Sequence, residues 1–155
     1  NTLLYALLQA SFPMSMRPAQ ITDLPLNDKL FLVQFDIIRR VAQAGACVIV
    51  GRCADYVLRD EKNVVNAFVH APLEARVERI MRVYAVERKA AEDMIAKNDK
   101  RRATYYNYFT NAKWADMFNF DISVNSAKVG VDGAADMIIA YAQRKAAEDK
   151  ANKAK

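Results

Sequence analysis

The sequence predicts an α/β protein in which a parallel sheet is flanked by helices. Two segments, residues 46–50 (ACVIV) and 64–71 (VVNAFVHA), are short, apolar and rich in β-branched residues, the composition of strands covered on both faces. A third, residues 118–124, alternates apolar Phe118, Phe120, Ile122 and Val124 with polar neighbours. The stretches around and between these strands carry apolar residues at helical spacing. The resulting order of strand, helix, strand, helix, helix, strand and helix builds a parallel sheet covered on both sides. Three strands make a small sheet for this many helices, so at least one further strand is expected upstream of Asn1.

The totals agree with one globular domain over residues 1–155. The chain is 53% hydrophobic, long enough for a real core and too apolar to be disordered. No apolar run approaches membrane-spanning length and no signal pattern opens the chain, so a soluble cytoplasmic protein with no membrane partner is expected. The formal charge is +5, but residues 144–155 hold five basic and two acidic side chains, leaving +2 for the rest. That basic tail reads as a fraying, solvated helix end, and nucleic-acid binding is not expected. Cys47 and Cys53 fit neither a zinc pattern nor a disulfide framework and are expected as buried or half-buried free thiols. His70 is the one histidine, which excludes histidine-based triads and histidine-rich metal sites and leaves arginines, carboxylates, backbone amides or a bound metal to do any chemistry.

In chain order, residues 1–10 suggest a short helix with Leu3, Leu4, Leu7 and Leu8 on one side. Residues 11–25, with Pro13, Pro18, Pro25, Met14 and Met16, read as a loop, the place to look for a subunit contact in a homo-oligomer. Asn27 or Asp28 is expected to cap a core helix through Phe31, Phe35, Ile38, Val41 and Ala42, stopped by Gly45. The strand at 46–50 runs into Gly51 and Arg52, at the end of a strand where ligands gather in open α/β sheets. There the glycine permits a tight turn and the arginine can reach a phosphate bidentately. A single turn at 54–58 and a charged connector lead to the second strand, ended by His70.

Pro72 then opens a helix with an inner stripe of Leu73, Val77, Ile80, Met81 and Tyr84. Arg76 flanks that stripe, while Arg79 and Arg82 point outward. Glu87 begins a long helix whose later part belongs to the segment 97–114, KNDKRRATYYNYFTNAKW. At about 100° per residue, Ala91, Ile95, Asn98, Arg102, Tyr106 and Phe109 share one face, which puts Arg102 on the inward stripe. An inward guanidinium needs a partner for its charge and its donors, either Asp99 three residues away or a bound phosphate. Lys97 and Arg101, four apart, repel each other, and a bound anion would offset this. After a loop carrying Lys113, Trp114 and Asp116 comes the third strand, ending at Asn125. Beyond Gly130, Asp132 can cap a last helix with Ala134, Met137, Ile138 and Tyr141 inward.

CVIVGRCADYVLRD, NVVNAFVHAPLEARVERI, NDKRRATYYNYFTNAKWAD and FDISVNS together resemble, in order and spacing, the cytidylate kinase-like branch of the nucleoside monophosphate kinases. The resemblance spans nearly the whole chain and implies a phosphate-loop kinase fold. It implies transfer of the terminal phosphoryl of ATP, with Mg2+, to a nucleoside monophosphate, with CMP or dCMP the first expectation. It further implies that residues 97–114 form a lid over the phosphates, with Lys100, Arg101 and Arg102 acting on them. Gly51, Arg52 and Asp55 would then face the acceptor, Arg76 would bind substrate, and Asp99 would orient Arg102 or stabilise the closed lid; no metal-ligating residue is assigned. Cys53 stands where the best-known cytidylate kinases carry an aspartate, and Asp55 is the next acid. The sequence contains no glycine-rich loop with lysine and serine or threonine. That loop is expected upstream of Asn1, and residues 1–155 by themselves are not expected to make an efficient kinase. Alternative readings are a nucleotide-binding regulatory module that kept the fold, and a kinase for another small acceptor.

Overall fold

The computed structural model of the chain describes residues 24–153. The helix expected over residues 1–10 and the loop up to residue 23 lie outside the described residues. The architecture is α/β, and the chain divides into two compact units, Asn1–Glu61 and Lys62–Lys155.

In the first unit, helix α1 (Leu26–Ala44) begins earlier than Asn27 or Asp28 would have capped it. Pro25 takes the N-cap position, and its carbonyl accepts from the backbone N–H groups of Asp28 and Lys29 at 3.0 and 3.1 Å. Proline fits there because its φ is preset and its missing N–H costs nothing. Asp28 instead sits in the first turn, where its charge complements the helix dipole. Val33 and Ile38 are buried, Phe31 meets Phe35 edge-on at 6.2 Å, and Val41, expected inward, is exposed. Gly45 ends the helix at φ 155°. The short helix α2 (Ala54–Val57) buries Cys53, Ala54, Val57 and Leu58.

Residues 46–50 are not a strand among the described residues, and Val48 and Val50 are 93% and 88% exposed. Composition made this segment suitable for burial, but a strand exists only where its N–H and C=O groups find a ladder. No backbone partner among the described residues supplies one. Cys47 is accordingly exposed, not buried or half-buried.

In the second unit, β1 (Ala67–His70) and β2 (Ile122–Asn125) pair in parallel, from Ala67 with Ile122 to His70 with Asn125. β1 is shorter than the apolar run that announced it. The Asn66 N–H donates to the Asp121 carboxylate at 2.7 Å, and the Asn66 carbonyl accepts from the Asp121 and Ile122 N–H groups at 2.8 and 3.3 Å. A side chain thus takes up the donor that would have extended the ladder. β2 is shorter too. Residues Met117–Asn119 form a 3-10 turn, in which Asp116 accepts from the Phe118 N–H at 3.1 Å and Phe118 is exposed. Phe120 packs on Phe68 at 5.0 Å.

Helices α3 (Leu73–Tyr84) and α4 (Arg88–Thr110) make the core of this unit, where Val77, Ala91 and Ile95 are buried against Ile80, Met81 and Val86. Leu73 and Tyr84 are exposed, so the inward stripe of α3 is narrower than its apolar residues suggested. α4 ends at Asn111, which adopts φ 53° while its N–H reaches the Asn107 carbonyl at 3.2 Å. Helix α5 (Ser126–Lys153) opens with a turn before a break at Gly130, φ 76°, instead of starting at Asp132. Asn125 caps that turn by accepting from the Ala127 N–H at 3.1 Å. Ala134 is buried and Ile138 half-buried, whereas Met137 and Tyr141 are exposed. The basic tail is helical to Lys153 and partly packed: Lys145 donates to the Lys62 carbonyl and to Asp149, both at 3.3 Å. No helix among the described residues is long and apolar enough to cross a membrane.

Candidate functional site

The carboxyl ends of β1 and β2 are where a parallel sheet offers a crevice to ligands. His70 ends β1, and its carbonyl accepts from the Ser126 hydroxyl at 3.1 Å, which ties the two strand ends together. Only Ala71 and Pro72 separate His70 from α3, so Arg76, whose N–H bonds the Pro72 carbonyl, sits in the turn that leaves this edge.

Arg76 donates through Nη2 to Oδ1 of Asp99 at 2.7 Å, joining α3 to α4 across 23 residues of sequence. Their side chains are 32% and 25% exposed, so the pair is neither dry nor fully solvated. Arg102 approaches the same oxygen with Nη1 at 3.6 Å. Two guanidiniums from different helices therefore converge on one carboxylate oxygen.

The expectation that Arg102 lies on the inward stripe of α4 is not met, because its side chain is 64% exposed. The buried line is Ala91, Ile95, Tyr106 and Thr110, with Asp99 half-buried between them, while Asn98 is exposed. Stepping four residues from Ile95 to Asp99 rotates about +40°, and stepping three to Asn98 rotates about −60°, so periodicity alone admits either. Packing against α3 chooses the first. The inward charge is thus a carboxylate, and its strong partner is Arg76. Sequence reasoning missed this pair because it bridges two helices, although Arg76 flanking one stripe and Asp99 continuing the i, i+4 series from Ala91 were both legible. Lys100 and Arg101 are exposed, as is Lys97, and none of the three makes an ion pair among the described residues. They add exposed positive charge to the helix that carries Asp99.

A second link between α3 and α4 is Arg88, which grips Glu74 with two donors and reaches Glu92 at 3.3 Å. The hydrogen bonds from Arg88 hold the exposed Glu74 carboxyl below its usual range, and those carboxylates raise the Arg88 guanidinium further. Around the aromatic end of α4, Phe109 packs against Tyr105 and Tyr108, both at 4.8 Å. The Trp114 N–H caps the exit by donating to the Asn107 side chain at 2.8 Å.

The remaining sequence candidates belong to the first unit. Gly51, Arg52 and Cys53 form a left-handed turn at φ 72°, 58° and 56°, closed by the Ala54 N–H on the Gly51 carbonyl at 3.1 Å. Only the glycine adopts this conformation freely. Arg52 and Cys53 are held there by the turn bond and by the burial of Cys53 and Ala54. Arg52 projects from the turn as an exposed side chain, and Asp55 is half-buried in the first turn of α2. Burial, with a smaller contribution from the Asp55 charge, pushes the Cys53 thiol up to about 11. Arg59 lies over the Tyr56 ring at 4.3 Å. No group of three potential metal ligands occurs among the described residues.

A solved structure of an uncharacterized protein from Eubacterium ventriosum is similar to this chain, with 35% identity, a TM-score of 0.72 and coverage of 81% of this chain and 79% of that one. No curated protein matches. The cytidylate kinase-like family matches residues 1–128, and this chain, whose strand ends and helix pair fall within that span, belongs to it.

Proposed function

We propose that the protein is a nucleoside monophosphate kinase-like enzyme of the phosphate-loop fold. It moves the terminal phosphoryl of ATP onto a nucleoside monophosphate, first of all the pyrimidine nucleotides CMP and dCMP. The observation that carries this reading is the convergence of Arg76 and Arg102 on Asp99, on a helix that also exposes Lys100 and Arg101, in a chain of the cytidylate kinase-like family.

In such a transfer an oxygen of the acceptor phosphate forms a bond to the terminal phosphorus while the bond to ADP breaks. The charge is spread over the transferring oxygens, so the protein's task is positioning and neutralisation. Lys100, Arg101 and Arg102 are the groups for that charge. Arg76 binds a substrate phosphate, Asp99 pairs with Arg76 and Arg102, and Gly51, Arg52 and Asp55 serve the acceptor. The described residues offer no three-ligand cage for a metal ion. Magnesium enters here with ATP, and no step is assigned to a protein-bound ion.

The test is turnover of ATP with CMP, dCMP, UMP and other monophosphates by the native full-length protein. Turnover of CMP or dCMP is expected, and failure on CMP, dCMP and UMP alike would remove the pyrimidine assignment. A second reading is a nucleotide-binding regulatory module that kept the fold. Nucleotide binding without turnover of any acceptor would select it.

A further inference from the structure

We infer that Asp99 is the resident occupant of a two-arginine anion site and works as a self-inhibitory latch. Its carboxylate holds Arg76 and Arg102 when no phosphate is bound, and an incoming phosphoryl group must displace it from at least one of them. The inference rests on the proposed function, since it takes the ligand of the site to be a nucleotide phosphate.

The geometry is that of a site already filled. A single oxygen, Oδ1 of Asp99, serves Nη2 of Arg76 at 2.7 Å and faces Nη1 of Arg102 at 3.6 Å. Each guanidinium carries five N–H donors in a rigid fork, so one carboxylate leaves most of this capacity unused. A phosphoryl group offers three acceptor oxygens and more charge, and two forks that share one oxygen stand close enough to share one phosphoryl group. The site is also open on one side. Arg102 is the exposed member, so a phosphate approaching through solvent meets it first. The longer contact is the one that gives way, while the shorter Arg76–Asp99 bond keeps α3 and α4 together.

A positioning carboxylate and a competing one predict opposite results when the charge is removed. Asp99→Asn keeps the shape and an acceptor oxygen but weakens the hold on both arginines. If Asp99 is a latch, the competent fraction of the site rises in this variant and the apparent affinity rises with it, by about three- to tenfold. If Asp99 mainly orients the arginines, affinity falls.

The experiment titrates the native full-length protein and its variants with magnesium ATP and, separately, with CMP, following binding by calorimetry. Both ligands supply phosphoryl oxygens, and the one whose affinity rises in Asp99→Asn identifies which phosphate meets the latch. Glu74→Gln, which removes another carboxylate joining α3 to α4, is expected to leave both affinities unchanged. Raising the salt concentration is expected to narrow the gap between wild type and Asp99→Asn, because a partly exposed pair is screened. Asp99→Ser must shift affinity in the same direction, which keeps the test intact should the asparagine variant fold poorly. If wild type binds and neither Asp99 variant binds either ligand more tightly, the latch is overturned while the nucleotide site stands. An equal rise in Glu74→Gln also overturns it. If wild type binds neither ligand, the proposed function falls first and the latch with it.

Discussion

Charge and burial make separate demands on single side chains, and the arginines and cysteines show both. Arg102 and Arg82 are both exposed helix residues, but only Arg102 stands beside Asp99. If the native protein turns over nucleotides as proposed, Arg102→Ala is expected to lower turnover by at least about 100-fold, the scale for losing one charge-stabilising donor. Arg82→Ala should stay within about twofold of wild type, and equal rates in the two variants would take Arg102 out of the site. The thiols divide in the same way. Exposed Cys47 should react with iodoacetamide at neutral pH, while buried Cys53, its thiol pushed up to about 11 from 9.0, should not react until the protein unfolds. The raised thiol also fixes a sign. Below pH 9.0 the thiol is neutral in both folded and unfolded chains; above it the unfolded chain ionises first, so stability falls as pH rises toward about 11. Urea unfolding midpoints at pH 8 and 10.5 should differ less in Cys53→Ala than in wild type, and an unchanged difference would contradict this placement. At this scale the sequence singled out Arg76, Asp99 and Arg102 as site candidates and named Arg102 as the one that needs a partner. It offered Asp99 as the partner of Arg102, which is present, but not the Arg76–Asp99 pair, because that depends on how two helices pack.

Helices were the legible elements and strands the difficult ones, for a physical reason. A helix satisfies its backbone internally, so the apolar spacing around Val77, Ala91 and Ile95 was enough to announce α3 and α4. A strand must borrow its partners from elsewhere, so the apolar run at 46–50 became exposed chain, and the run at 64–71 was cut back where Asp121 takes the Asn66 N–H. The register of β1 on β2 was likewise invisible in either strand alone. The packing of α3 on α4 can be tested directly. Val77 is wholly buried, so Val77→Ala loses two methyl groups at about 0.8 kcal/mol each and leaves a cavity, costing about 2–3 kcal/mol in all. Val83, on the same helix but exposed, should cost less than about 0.5 kcal/mol when cut to alanine. Denaturant unfolding of the two variants measures the difference, and comparable losses would mean that α3 buries another face. If the latch reading of Asp99 is right, Val77→Ala should weaken nucleotide binding only through the folded fraction, since no side chain at position 77 touches the arginine cluster's charge.

For the whole molecule, the α/β class and the parallel sense of the strands followed from the order of elements, whereas the division into Asn1–Glu61 and Lys62–Lys155 did not. Arg59 to Asn63 read as a charged connector, and nothing in their composition marks a boundary. The carboxyl-terminal tail has the same origin. Its alanines and lysines look like a solvated helix end, yet Lys145 spans 83 residues of sequence to donate to the Lys62 carbonyl while holding Asp149 four residues on. The tail therefore fastens the beginning of the second unit to its end. Removing residues 151–155 takes away charge but neither of these bonds, so stability and nucleotide binding should be unchanged. Removing residues 145–155 breaks both, and hydrogen exchange near Lys62 and in the last turns left on α5 should quicken, while the amides of β1 and of the buried part of α4 stay protected. Nucleotide affinity should still hold in this longer truncation, because none of the charges proposed for nucleotide binding lies in the tail. A loss of affinity that tracks the number of lysines removed, and that salt abolishes, would instead make the tail part of the phosphate-binding surface.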